Sequence, residues 1–220
     1  MLAKNYKALL ENIDQAARRS GRDPETVKLI AVTKTVGIEE VRRAAALGIT
    51  DFGENRVQEA AAKVANVPEV RWHFIGHLQS NKVKDVLPAY TLIHSLDRSS
   101  LAGALQRCAE RINRNVNALI QVNVSGEQSK YGLAPEDLTG FLKKVSTYDR
   151  IIVKGLMTMA PFVDNPEDTR IYFRRLRQLR DENATAGRDL PELSMGMTND
   201  YLVAIEEGAT MVRIGTALFG

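Results

Sequence analysis

Lys34 closes the apolar run Val27-Lys28-Leu29-Ile30-Ala31-Val32-Thr33. A run rich in Val, Leu and Ile reads as a buried parallel strand. An amine at the C-terminal tip of a first buried strand is placed to attack an aldehyde and form a Schiff base. Lysine is rarely fully buried unless something holds it, and by itself the segment reads first as a strand-end lysine in solvent. A desolvated setting would lower its pKa and free the amine. The second chemical grouping lies at the far end, in Leu193-Ser194-Met195-Gly196-Met197-Thr198-Asn199-Asp200 and Met211-Val212-Arg213-Ile214-Gly215-Thr216. Ser194, Gly196 and Thr198 precede a helical pattern over 201–207, and Gly215 and Thr216 precede Ala217-Leu218-Phe219. Hydroxyls and bare N–H groups at a helix start can cradle a phosphate, although ordinary strand-to-helix turns use the same residues. Taken with Lys34, they suggest an aldehyde that also carries a phosphate.

Something must bring the two ends of the chain together. Strand patterns fall at 27–33, 50–53, 70–75, 91–94, 116–123, 151–156, 191–194 and 210–213. Helical patterns separate them near 38–47, 55–65, 80–87, 98–113, 135–146, 166–185 and 199–207, and a further amphipathic helix over 2–20 ends at Gly21. This alternation predicts one (β/α)8 barrel over 1–220, with a doubly wound open sheet as the other fold it allows. In such a barrel the phosphate site lies in the loops after strands seven and eight. The irregular stretches 124–134 and 157–165 follow strands and belong at the same mouth.

Composition narrows the function classes. A hydrophobic content of 44% and a charged content of 26% suit a soluble globular chain. No stretch reaches transmembrane length, and residues 1–21 carry no secretory apolar region, so the expectation is a cytoplasmic protein. The single cysteine, Cys108, excludes an internal disulfide framework. One cysteine and three histidines make a metal site an improbable reading, His73 and His77 included. The net charge is +3, and the run Arg174 to Arg180 reads as a solvated helix face over Leu176 and Leu179, not as a nucleic-acid surface.

Several segments carry a family likeness: Ala31-Val32-Thr33-Lys34, Phe52-Gly53-Glu54-Asn55, Trp72-His73-Phe74-Ile75-Gly76, Leu78-Gln79-Ser80-Asn81-Lys82, Gly155-Leu156-Met157-Thr158-Met159, Leu193 to Met197 and Val212 to Thr216. In these the chain resembles the pyridoxal phosphate homeostasis proteins, stand-alone barrels of the alanine-racemase type. The resemblance departs at Thr198, where a serine is expected in many relatives. It implies a pyridoxal 5'-phosphate (PLP) site in which Lys34 holds the cofactor as an aldimine and Arg213 faces the ring nitrogen. Ser194, Gly196, Thr198, Gly215 and Thr216 would hold the phosphate. Asn55 is a contact or merely a helix cap, and Met157 an apolar wall or plain core. Lys82 and Lys130 are secondary lysines near the mouth, with a solvated surface role the simpler reading. Racemases of this fold type carry a further β-rich domain supplying a tyrosine acid/base, and this chain stops at Phe219-Gly220, after strand eight. The expectation is therefore a non-catalytic PLP-binding protein acting in cofactor supply, monomeric, with PLP-dependent apo-enzymes as partners. The alternative is a PLP-dependent amino-acid racemase or decarboxylase.

Overall fold

Eight parallel strands pair in chain order and close on themselves: β1 Lys28–Val32, β2 Asp51–Glu54, β3 Arg71–Phe74, β4 Tyr90–Leu96, β5 Val116–Gln121, β6 Ile151–Met157, β7 Glu192–Ser194 and β8 Met211–Ile214. The computed structural model describes residues 1–220. Closure is made by β1 against β8, from Lys28 opposite Met211 to Ala31 opposite Ile214. That pairing excludes the open sheet. The two shortest expected strands, β2 and β7, are both present and paired on each side, β7 meeting β8 only at Ser194 opposite Met211.

Helices separate the strands: α1 Leu2–Arg19, α2 Ile38–Ala46, α3 Val57–Asn66, α4 Val83–Val86, α5 Ser99–Arg111, α6 Leu138–Val145, α7 Arg170–Asn183, α8 Tyr201–Glu206 and α9 Thr216–Phe219. Side chains alternate across each strand, so the barrel has two interiors. Ile30, Leu92, Leu119, Met157 and Met211 pack inside it. Phe52, Trp72 and Phe74 point the other way, into the layer beneath the helices, with the Phe52 and Trp72 rings 5.7 Å apart.

α1 turns Leu9, Ile13, Ala16 and Ala17 inward and stops before Gly21, whose φ of +70° suits glycine. It packs against α8 and α9. Asn5 donates to the carbonyls of Leu218 and Gly220, and Asn12 donates to the Tyr201 hydroxyl at 3.2 Å. Arg22 Nη1 donates at 2.9 Å to the carbonyls of Ile205, near the end of α8, and of Ala209, in the turn that follows it. The basic run on α7 behaves as its spacing implies. Leu176 and Leu179 are buried, while Arg174 and Arg177 reach the Glu207 carboxylate, which Arg170 also contacts. No helix is long and apolar enough to cross a membrane.

Candidate functional site

A cavity of about 510 Å³ opens at the C-terminal ends of the strands. β1 delivers Val32 and, two residues on, Lys34 to its wall. β8 delivers Arg213, Gly215 and then Thr216 at the start of α9; the turn after β7 delivers Thr198 and Asp200; the end of β2 delivers Asn55. Residues from opposite ends of the sequence meet because β1 and β8 are hydrogen-bonded neighbours. Both irregular stretches flagged in the sequence reach the mouth, through Tyr131 and through Met159 to Val163.

Lys34 is an exposed residue of the wall, not the desolvated one that a lowered pKa would call for. Its loop is nevertheless held. Lys63, on α3, donates to the Thr33 carbonyl at 2.5 Å and to Glu54 Oε1 at 2.6 Å, and the Thr33 hydroxyl donates to the same Glu54 oxygen at 2.6 Å. This buried ion pair ties α3 to the ends of β1 and β2 directly before Lys34.

Arg213 is buried at the cavity floor. Its Nη1 donates to Ser194 Oγ at 2.6 Å and its Nη2 to the Thr158 carbonyl at 2.8 Å. Burial lowers its pKa to about 10, opposed by the Asp200 charge, so it stays a cation at neutral pH. Burial pushes the Asp200 carboxyl up, although that group accepts from the Met197 N–H at 2.6 Å. Thr198 Oγ1 accepts from the Ala217 N–H at 3.5 Å, which brings the turns after β7 and β8 together. Asn55 does not cap α3, whose cap position is Arg56. Its Oδ1 is instead a buried acceptor without a partner, on a residue of the cavity wall.

Three expected site residues stand behind the wall. Met157 is fully buried in the inner barrel layer, and Met159, two residues on, lines the cavity in its place. Ser194 is fully buried with its hydroxyl engaged by Arg213 and His94, so it is not a phosphate donor in this geometry. Gly196, at φ +91°, packs on Ala204 and Tyr201, and its carbonyl accepts from the Arg213 N–H. Lys82 and Lys130 do not line the cavity, and Lys130 pairs with Glu127 at 2.9 Å. His77 does line it, stacked on Tyr131 with ring centroids 3.9 Å apart. His73 lies inside the barrel against His94 and Asp51.

No sequence motif marks His94, which is fully buried against Ser194. The one signal was a polar residue at an inward position of an apolar strand. Burial, with His73 and Arg213 alongside, holds its imidazole well below the usual histidine range. The unfolded chain binds that proton near pH 6.5 and the native state does not. Stability should therefore fall as pH drops below about 6.5, by up to about 1.4 kcal/mol per pH unit from this group. Asp51, held below the carboxylate range chiefly by its Arg71 and His73 hydrogen bonds against burial, adds its own loss only below about pH 4. Denaturant unfolding at about pH 7 and pH 5 should show a smaller loss for His94→Gln than for the native sequence.

Residues 5–220 match the family described as Alanine racemase, N-terminal domain. A pyridoxal phosphate homeostasis protein of Aquifex aeolicus is 47% identical over 215 residues, covering 96% of this chain and 94% of the relative. One from Pseudomonas aeruginosa is 43% identical over 221 residues, covering 100% and 95%. Among solved structures, PipY of Synechococcus elongatus, with PLP bound, superposes with a TM-score of 0.86 at 35% identity, covering the whole of both chains. The sequence segments, the closed barrel and these relatives agree, and the chain belongs to the pyridoxal phosphate homeostasis protein family, built on the alanine racemase N-terminal domain.

Proposed function

We propose that this chain binds PLP in the cavity at the strand ends, holds it through Lys34 and releases it to PLP-dependent apo-enzymes, without catalytic turnover of its own. The observation that carries this reading is the convergence of Lys34, Arg213, Thr198, Gly215 and Thr216 on one cavity. PLP, when bound, supplies an electrophilic aldehyde and an electron-withdrawing pyridine ring. Lys34 would contribute the amine for the aldehyde. The Thr198 and Thr216 hydroxyls, with the backbone at Gly215, would take the phosphate. Met159 would form an apolar wall, and the unpartnered Asn55 Oδ1 would accept from a ligand hydroxyl.

Arg213 bears on how strongly a bound ring could withdraw electrons. A guanidinium donates hydrogen bonds and accepts none, so a ring nitrogen facing it must remain an unprotonated acceptor. Such a ring is a weaker electron sink than one paired with a carboxylate. Racemisation by two bases also needs a proton donor on each face of the ring. Tyr201 is buried outside the cavity and engaged by Asn12. The racemase alternative would have to draw on Tyr131 and His77, which do line the cavity. The chain would act as a monomer in the cytoplasm. The test is interconversion of L- and D-amino acids by PLP-loaded protein. Turnover no greater than that of a Lys34→Ala control is expected; sustained turnover above it would replace the carrier reading with the enzyme reading.

A further inference from the structure

A line of buried polar side chains runs down the inside of the barrel from the cavity floor. Arg213 Nη1 donates to Ser194 Oγ at 2.6 Å. Ser194 Oγ lies 2.9 Å from His94 Nδ1, His94 Nε2 lies 3.0 Å from His73 Nδ1, and His73 Nε2 lies 2.9 Å from Asp51 Oδ1. At the far end Arg71 clasps Asp51, Nε to Oδ1 at 2.8 Å and Nη2 to Oδ2 at 2.6 Å. Ser194 and His94 have no exposed surface, and His73 and Arg213 are 4% exposed. The members come from β8, β7, β4, β3 and β2, so no cap or turn accounts for them.

The two ends dictate where every proton sits. Arg213 can only donate and an ionised Asp51 can only accept. With both imidazoles neutral, one arrangement serves every contact: Arg213 donates to Ser194, the Ser194 hydroxyl to His94 Nδ1, His94 Nε2–H to His73 Nδ1, and His73 Nε2–H to Asp51. An extra proton on the histidines would reverse the middle links, turn His94 Nδ1 into a donor to Ser194, and leave the buried serine hydrogen without an acceptor. Orphaning a buried donor is unfavourable, which locks the direction. Arginine has no lone pair with which to pass a proton on, so the line does not conduct protons to the cavity.

We propose that Asp51, His73, His94 and Ser194 are positioning residues that hold Arg213 in place, as a donor at the cavity floor, through a one-way hydrogen-bond relay. The relay gives the barrel interior a fixed polarity, from the Asp51 carboxylate at the closed end to the Arg213 cation at the open end. Its effect on a bound ring nitrogen rests on the function proposed above. The test reads the ligand-free protein, so the relay and that function can fail separately.

Protein labelled with 15N at histidine and arginine should show both His73 and His94 carrying a proton on Nε2 and none on Nδ1. Solvent exchange of the Arg213 side-chain N–H groups should be slow in the native sequence. It should quicken by about tenfold or more in His94→Leu, where the relay is cut. His94→Gln should keep exchange slow, because the amide can accept from Ser194 and donate to His73 in the same direction. Ser194→Ala cuts the relay with a smaller change of shape and should match His94→Leu, covering the case in which the leucine variant does not fold. A proton on Nδ1 of either histidine, or Arg213 exchange equal in the native and Ser194→Ala proteins, would overturn the relay.

Discussion

Replacing Lys34 by alanine is expected to reduce the borohydride-trapped PLP on the protein to below about a tenth of the native yield, with loss of the yellow absorption band. Lys34 is the only lysine on the cavity wall. The alternatives are committed elsewhere or lie away from it: Lys130 pairs with Glu127, Lys63 is buried against Glu54, and Lys82 sits in the short turn before α4. Non-covalent uptake should persist, weaker but measurable, because the hydroxyls of Thr198 and Thr216 and the Arg213 cation are untouched. Hydrogen bonds involving charged groups contribute about 1.5–3 kcal/mol each. Absorption before and after reduction, with peptide mapping of the reduced adduct, reads both effects. An unchanged yield of reduced adduct would move the assignment to another lysine.

Lys63→Met should destabilise the fold by about 3–5 kcal/mol, a large share of the 5–15 kcal/mol typical of a domain. The Lys63 side chain is 8% exposed and Glu54 fully buried. Removing the ammonium leaves a buried carboxylate whose only remaining side-chain partner is the Thr33 hydroxyl; its Oε2 has no partner even in the native protein. The loss should reach the site, because the Thr33 carbonyl is released one residue before Lys34. The double variant Lys63→Met with Glu54→Gln should recover part of the stability, since the uncompensated charge is gone. Urea midpoints of the single and double variants measure this. A single-variant cost under about 1 kcal/mol would mean that water reaches the pair and screens it.

The elements of this fold were legible because their patterns are local. Apolar runs bounded by helical spacing located all eight strands, even the three-residue β7. The placement of Lys34, Thr198, Gly215 and Thr216 at strand ends followed from the same alternation. Side-chain direction at Met157 and Ser194 is not legible in the same way. Met157 and Met159 share a motif, but Met157 is the last residue of β6 and Met159 lies just beyond it, and only the second meets the cavity. Ser194 has the residue type of a phosphate donor, but β7 aims it into the barrel, toward Arg213 and His94.

From the sequence alone came the barrel class and the strand ends that could carry chemistry, because hydrophobic periodicity and turn composition are properties of consecutive residues, and the family likeness, because its motifs are short contiguous segments. Only the tertiary structure could decide which polar side chains meet inside the barrel. Asp51, His73, His94, Ser194 and Arg213 lie on five strands, and the Glu54–Lys63 pair joins a strand to a helix. Such contacts are set by strand register and closure, and neither is written in any one segment of the chain.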